Sequence, residues 1–203
     1  MAFIRSTFYF ILLFFGSCSE TPNVEKVPIA KRVVPSQSLL SQKTNEKKKL
    51  SEYEFFKSPI AELIPNVNVY SYDVNTPLFS DYASKKRFVF LPKDSQMEFS
   101  QIENTLLFET GSILIKNFYY PISKNEERII ETRLLIKEKE GWKPLNYIWN
   151  TEQTDASLNY IGADIEVEWM NSHEEIQKVN YSVPNQNQCK NCHISGSEIT
   201  PIG

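Results

Sequence analysis

The sequence has little of several residue types on which many functional sites depend. Its 203 residues include only six Gly, three Cys and two His. There is no Gly-rich loop for a nucleotide phosphate and no Gly-x-Ser-x-Gly motif for a serine nucleophile, so neither class of enzyme is indicated. Three cysteines require no disulfide framework. The formal net charge of −3 argues against nucleic acid as a partner.

What the chain does have is the composition of a folded domain. Hydrophobic residues make up 41% of it and aromatic residues 13%, which is enough to form the core of one domain of ordinary size. The charge is unevenly placed, because residues 19–50 hold seven Lys or Arg against three Asp or Glu, whereas residues 51–203 hold 14 against 22. An acidic body behind a mildly basic segment is typical of a solvated domain held near a membrane.

The N-terminus predicts export and a lipid anchor. Residues 1–17 combine Arg5 with the apolar run Phe8–Phe15, and two small residues then precede Cys18. This is the layout of a signal peptide with a lipoprotein-type cleavage site, and the apolar run is shorter than the roughly 20 residues of a spanning helix. We expect an exported lipoprotein, periplasmic or attached to the outer membrane, that begins at an acylated Cys18. A plain signal peptide and an uncleaved anchor are the alternatives.

The segment after the lipidation site predicts a linker. Residues 18–50 show no periodicity and contain three prolines and the run Lys47–Lys49. Such a composition favours a flexible tether. Its basic run is either simply solvated or in contact with anionic lipid headgroups.

The remaining residues, 51–203, predict a mainly β domain. We expect an antiparallel, sandwich-like sheet with short flanking helices, one of them over Ser51–Leu63. Ala163–Met170 alternates cleanly between polar and apolar residues, and Ile176–Val183 follows after a short turn, which together predict a hairpin. Further strand candidates are Arg87–Leu91, Ser112–Tyr120, Arg128–Lys137 and Trp142–Trp149.

The strongest motif is the C-x-x-C-H sequence Cys189-Lys190-Asn191-Cys192-His193, which is the attachment signature of c-type haem. In such a site two thiols add to the porphyrin's vinyl groups, and the imidazole that follows binds the iron as its proximal ligand. We expect one covalent haem c on Cys189 and Cys192, with His193 as the iron ligand, in a tight C-terminal turn. Haem is attached in this way outside the cytoplasm, so the motif agrees with the export signal.

Two other uses of the motif stay open at this point. A thioredoxin-like redox pair would open a helix in a β-α-β unit, and the sequence pattern does not indicate one. Half of a zinc site would require two more ligands. Outside the motif, Cys18 and His173 are the remaining cysteine and histidine of the chain.

The sixth coordination position of the iron is not marked by any motif. His173, Met97 and Met170 carry side chains of the kind that bind haem iron, although a surface or packing role suits each of them better. Further candidates for the distal side, weighed against ordinary positions in a sheet, are Lys116, Tyr119 and Tyr120.

A longer set of motifs runs through the body of the chain. It comprises Tyr72–Ala83 (YDVNTPLFSDYA), Lys86–Val89, Gly111–Lys116, Glu131–Leu135, Tyr147–Asn150, Gln153–Ala156 and Tyr181–Asn185. Over residues 50–203 the chain resembles a family of bacterial exported haem c proteins with "NTPLFSDYA" and "NQCxxCH" motifs. The resemblance implies that Cys189, Cys192 and His193 bind the haem, and it implies export, but no particular reaction.

The same resemblance bears on where the domain ends. Members of the family continue beyond the segment that corresponds to Pro201–Gly203, and some carry a further cytochrome domain at the N-terminus. Two alternatives follow for the haem c domain of residues 51–203: it is cut short at its C-terminus, or its β portion alone covers the haem.

Three functions suit an exported monohaem domain. The first is electron transfer with a redox protein partner at the membrane surface, toward which the acidic body steers a basic partner. The second is suggested by the order of β domain and C-terminal motif, which resembles β-sheet monohaem cytochromes that oxidise hydroxylamine or bind nitric oxide at an open iron. The third is a non-redox surface-binding module with an aromatic platform of Trp142, Tyr147, Trp149, Tyr160 and Trp169. Candidates for a cation site, or for ordinary turn capping, are Asp73 and Asp81.

Overall fold

The structure is a computed structural model that describes residues 46–76, 78–102, 105–195 and 198–201. The predicted signal peptide, the predicted acylation site at Cys18 and most of the predicted tether lie outside the described residues. The last residues of that tether belong to the folded domain. Leu50 is buried, and its N–H donates to the carbonyl oxygen of Ala156 at 2.9 Å. The fold therefore includes residues that precede Ser51.

The described residues are mainly β, with antiparallel strand pairs and few helices, as the sequence predicts. One α-helix, α1, spans Gln186–His193. In chain order the strands are β1 (Val69–Tyr72), β2 (Ser84–Phe90), β3 (Met97–Ser100), β4 (Thr105–Phe108), β5 (Ile113–Ser123), β6 (Glu126–Glu138), β7 (Gly141–Trp149), β8 (Ala156–Asn159), β9 (Ala163–Met170), β10 (Ile176–Val183), β11 (Ile194–Ser195) and β12 (Glu198–Ile199).

Six of these strands form the principal sheet, in the order β1-β2-β5-β6-β7-β8. Neighbours in this order are mostly consecutive along the chain, so short antiparallel connections build most of the sheet. The strands β3 and β4 pair with each other, and so do β11 and β12. The predicted hairpin is confirmed, because β9 and β10 have the predicted bounds and pair antiparallel.

One face of the sheet carries the larger hydrophobic core. Residues that alternate along β5, such as Ile113 and Ile115, point into it together with Leu134 and Tyr147 from the next two strands. The segment that precedes β1 covers this face, since Leu50, Phe55, Phe56 and Leu63 belong to the same cluster. The domain thus closes one side of its sheet with non-strand residues from its own N-terminal end.

The opposite face of the sheet has a second, smaller core. Phe118 and Tyr120 of β5 pack there against Val167 of β9 and against Tyr181 and Val183 of β10. The β9–β10 hairpin therefore forms a second layer over the central strand of the sheet. This layer covers only part of the face, and α1 follows directly after β10.

The predicted helix over Ser51–Leu63 is wrong. The structure has two single-turn 3-10 helices there, Ser51–Tyr53 and Ile60–Glu62. Pro59 separates them, and a proline has no N–H for helix bonding and disfavours helical conformation at the preceding residue. The apolar side chains that suggested a helical face are still mostly buried, but irregular backbone carries them.

Candidate functional site

The C-x-x-C-H motif occupies the last five of the eight residues of α1 rather than a tight turn. The helix begins with a reciprocal capping box, in which the N–H of Gln188 donates to Asn185 Oδ1 at 3.0 Å and the N–H of Asn185 donates to Gln188 Oε1 at 2.8 Å. The chain after Asn185 is polar and has no apolar stripe, so its cap explains this helix better than amphipathicity does. The spacing Asn185-x-x-Gln188 is the sequence signal for the helix start.

Contacts with β7 and with the loop before β9 fix the start of α1. Asn146 of β7 donates from Nδ2 to the carbonyl oxygen of Pro184 at 2.6 Å, and the N–H of Gln186 donates to the carbonyl oxygen of Tyr160 at 3.2 Å. Gly162 approaches the same point so closely that a Cβ there would lie 2.6 Å from the carbonyl oxygen of Val183. The helix is therefore held against the sheet at its first turn.

The thiol of Cys189 is buried between helix and sheet. Its side chain is 8% exposed, and Sγ lies 3.5 Å from Asn146 Oδ1. Cys189 is the fourth residue of α1, and the motif ends with the helix at His193. Residues three and four apart share one helical face, so the backbone places the positions of all three motif residues on the same side of α1.

His193 has a fixed ring orientation. Its Nδ1 lies 3.2 Å from the carbonyl oxygen of Thr200, and the N–H of Thr200 donates to the carbonyl oxygen of His193 at 2.7 Å. A carbonyl only accepts, so Nδ1 carries the proton and Nε2 keeps its lone pair. The short β11–β12 hairpin between the two residues returns the chain to make both bonds.

The environment of His193 favours the neutral imidazole. Burial lowers the pKa of His193 below its ordinary value; the hydrogen bond to Thr200 opposes this effect, and the charges on Lys116 and Arg133 add to it. A neutral imidazole with one free nitrogen is the form that binds a metal.

Basic residues lie side by side across the sheet near the motif. The strand register pairs Arg87 of β2 with Lys116 of β5, Lys116 with Arg133 of β6, and Arg133 with Asn146 of β7. Directly paired residues point to the same face of a sheet. We call Arg87, Lys116 and Arg133 the basic row; Asn146, which contacts Cys189, stands at its end.

Within the basic row, Arg133 has an acidic partner. Its Nε donates to Oε1 of the fully buried Glu131, and Nη2 lies 3.4 Å from the hydroxyl oxygen of Tyr181. Burial alone would lower the pKa of Arg133, but the charge and hydrogen bond of Glu131 more than offset it, so the pKa is raised. Among the described residues, Glu131 Oε2 has no hydrogen-bond partner.

Lys116 is placed differently. Its Nζ lies 5.0 Å from the ring centre of Phe118, while no hydrogen bond or ion pair joins Nζ to any described residue. Burial and the neighbouring charges on Arg133 and Arg87 lower the pKa of Lys116 to about 8. Of the three distal-side candidates, Lys116 is therefore the one whose charge acts on His193.

The other two distal-side candidates have different environments. Tyr120 is fully buried in the smaller core, and its hydroxyl donates to the carbonyl oxygen of Asp81. Tyr119 packs against the larger core on the opposite face and lies under Lys86, whose Nζ is 4.7 Å from the ring centre. Both have ordinary positions in a sheet.

The histidine and methionines considered as sixth ligands lie in or beside hairpins. His173 is exposed in the turn between β9 and β10, where its N–H donates to Asn171 Oδ1 at 2.9 Å. Met97 is 42% exposed on β3, and Met170 is half-buried as the last residue of β9. No contact of these three side chains with His193 is present in the described part of the chain.

The predicted cation site and aromatic platform are not assembled. Asp73 pairs with Arg87 at 3.0 Å, and the described residues contain no group of three or more His, Cys, Asp or Glu that could hold a metal ion. Tyr147 and Trp149 belong to the larger core, whereas Trp169 stacks on Tyr82. The five aromatic residues thus form no single surface.

The geometry also bears on the two alternative uses of C-x-x-C. Reactive redox cysteines gain a lowered thiol pKa at a helix N-terminus within a β-α-β unit, whereas this pair stands at the fourth and seventh residues of α1, after an antiparallel hairpin. A zinc site would require two ligands besides the pair, and the described residues offer no such cluster. The arrangement of a buried thiol and an oriented, neutral imidazole fits covalent haem.

Comparisons with known proteins identify no relative. Nothing matches the chain among protein-family models, curated proteins or solved structures. The resemblance to exported haem c proteins therefore stays a prediction. No helix among the described residues is both long and apolar enough to cross a membrane.

Sequence reasoning found the motif but missed the residues that support it. Asn146 lies on β7, Arg133 lies on β6 and Thr200 follows β12; the strand register and the pairing of β11 with β12 bring them to the motif. No local pattern identifies them. The Asn185-x-x-Gln188 capping box was the one supporting feature with a readable signal.

Proposed function

We propose that this chain is an exported, membrane-tethered c-type cytochrome with a single haem that takes part in electron transfer. The haem is bound through thioether bonds to Cys189 and Cys192, with His193 as the proximal iron ligand. One observation carries the proposal: the chain returns after the motif so that the Thr200 carbonyl holds His193 Nδ1 at 3.2 Å.

This contact has a specific use in a haem protein. Ligating histidines usually donate the second ring N–H to a carbonyl or carboxylate, which fixes the ring orientation and raises the basicity of the metal-binding nitrogen. Thr200 would provide this support to His193. The buried position of Cys189 would exclude water from the edge of the porphyrin to which its thiol is bonded. When bound, the haem supplies one-electron chemistry at its iron.

The charge of residues 51–203 supports electron transfer with a protein partner better than a purely structural role for the haem. Residues 51–203 hold 22 Asp or Glu against 14 Lys or Arg. A net negative surface attracts a basic redox protein and raises the association rate, and salt screens the attraction. The partner we expect is therefore a basic redox protein at the membrane surface, with rates that fall as ionic strength rises.

The tether at the N-terminus is part of the proposal. Residues 1–17 would direct export, and acylation of Cys18 would hold the domain at a periplasmic membrane surface. We predict that Cys18→Ser abolishes incorporation of labelled fatty acid, because the thiol that would be acylated is lost. Metabolic labelling checks this, with Ser17→Ala as the matched control that keeps the label. Fatty-acid label on the Cys18→Ser protein would contradict it.

An open iron is the second candidate, as in haem enzymes and gas-binding proteins. The exposed positions of His173 and Met97 favour it, since neither side chain contacts His193 among the described residues. Polar groups close to the iron would then tune ligand binding.

Visible spectroscopy of the chain co-expressed with haem-maturation machinery tests both candidates. A c-type pyridine haemochrome is the first requirement. A low-spin spectrum that carbon monoxide leaves unchanged would support electron transfer, whereas a high-spin spectrum that shifts with carbon monoxide would favour the open iron. A well-expressed chain without haem would contradict both.

A further inference from the structure

The basic row carries more positive charge than its acidic neighbours balance. Glu131 pairs with Arg133, and Asp73, whose side chain is 87% exposed, pairs with Arg87. Lys85, which precedes Arg87 by two residues on the same strand, donates from Nζ to the carbonyl oxygen of Leu78 at 2.8 Å. A carbonyl oxygen carries no net charge, so this hydrogen bond does not neutralise the positive charge of Lys85.

Lys116 is the cation in the row that forms no ion pair with an acidic side chain of the described residues, although the charge of the nearby Glu131 also acts on it. Its direct neighbours in the sheet are Arg87 on one side and Arg133 on the other. Half-buried ammonium groups require compensation by an anion or by water, and the face of Phe118 supplies only a weak attraction. The arrangement is that of an anion-binding position.

We propose that Lys116, flanked by Arg87 and Arg133, binds the propionate carboxylates of the haem. This inference rests on the proposed function and names the contacts that the protein makes with the haem away from the thioether bonds. Arginine and lysine are the usual partners of buried carboxylates because their hydrogen bonds are charge-assisted.

The order of residues across the sheet fits this assignment. Asn146, which contacts Cys189, marks the side of the thioether bonds, and Lys116 lies two strands away. Neighbouring strands are about 4.8 Å apart, so this separation is roughly 10 Å. The vinyl and propionate substituents of the porphyrin occupy opposite edges of the macrocycle. A haem attached at Cys189 and directed along the row would thus present its carboxylates to Lys116.

The same cations would also attract a free inorganic anion, and the experiment separates the two sources. Holoprotein is prepared with haem isotopically labelled at the propionate carboxyl carbons, and redox-induced infrared difference spectra are recorded for the parent, Lys116→Gln and Lys116→Arg. Lys86→Gln is the matched control, because Lys86 pairs with Glu127 and, beside Asn117 in the register, points to the opposite face.

The proposal predicts that Lys116→Gln moves the labelled carboxylate bands and shifts the midpoint potential to a lower value, because a positive charge near the iron is lost. Lys116→Arg keeps both the labelled bands and the midpoint potential close to those of the parent, and Lys86→Gln changes neither. Labelled bands that are identical in the parent and in Lys116→Gln overturn the proposal. If the midpoint potential then depends on added sulfate, the cations bind a free anion instead of the propionates. A parent chain that carries no haem overturns the proposed function, and this inference with it.

Discussion

Thr132 connects two buried polar groups under the larger core. Its Oγ1 lies 2.6 Å from Asn117 Oδ1 and accepts a hydrogen bond from Trp149 Nε1 at 2.9 Å. Thr132 and Asn117 are fully buried, so water cannot replace either bond. A hydroxyl suits the position because it donates to one partner and accepts from the other.

We predict that Thr132→Val lowers the free energy of unfolding by about 2–6 kcal/mol, because it leaves two buried groups without a hydrogen-bond partner at roughly 1–3 kcal/mol each. Urea denaturation followed by Trp fluorescence measures this. Thr151→Val is the control, since Thr151 is exposed in a turn, and its effect should stay within about 0.5 kcal/mol. Equal effects of the two substitutions would contradict the assigned role of Thr132.

Lys116 gives a pH-dependent prediction for the chain without haem. The folded state lowers the pKa of Lys116 to about 8 from 10.5, so the protonated amine weakens the fold, and this loss disappears as the pH rises from about 8 to 10.5. Lys116→Met should therefore be more stable than the parent below pH 8, with a difference that shrinks toward zero above pH 10.5. Urea midpoints of both proteins across this range check it, and a difference independent of pH would be inconsistent with it.

At the scale of elements, α1 shows how a short polar helix forms. Its sequence, QNQCKNCH, has no apolar stripe, and helices this short are marginal without a cap or tertiary contacts. The capping box at Asn185 and Gln188 and the bond from Asn146 provide both. A pattern search for helical periodicity therefore overlooks the helix, although the capping box itself is visible.

We predict that Asn185→Ala lowers the free energy of unfolding by about 1 kcal/mol, the usual loss for an N-cap, whereas Asn185→Ser retains most of the stability because serine also accepts the helix N–H. The backbone N–H of residue 185 is unchanged in both. Chemical denaturation of the matched pair measures the difference. If Asn185→Ser lost as much stability as Asn185→Ala, the cap would not be the cause.

The strands show where sequence pattern suffices and where it does not. β9 and β10 were predicted to the residue because one face is buried and the other exposed, which produces clean alternation. β3 and β4 lack fully buried residues and give no such signal. In β6, four consecutive residues from Ile129 to Thr132 are buried, so both faces are covered and alternation is lost.

At the scale of the whole molecule, the class of fold and the C-x-x-C-H motif are readable from the sequence, but the surroundings of the motif are not. The motif residues are adjacent in the chain. The basic row and Asn146, by contrast, come from β2, β5, β6 and β7, and become neighbours only through the strand register. Register depends on the pairing of the entire sheet, which no single segment encodes.

The central claim is that Cys189 and Cys192 carry one covalent haem. Intact-mass spectrometry of the chain, co-expressed with haem-maturation machinery, tests this most directly, with the Cys189→Ser, Cys192→Ser double variant prepared in parallel. The account predicts that the denatured parent retains the mass of one haem and that the double variant has the mass of the polypeptide alone. A well-expressed, folded parent with the mass of the polypeptide alone would contradict it.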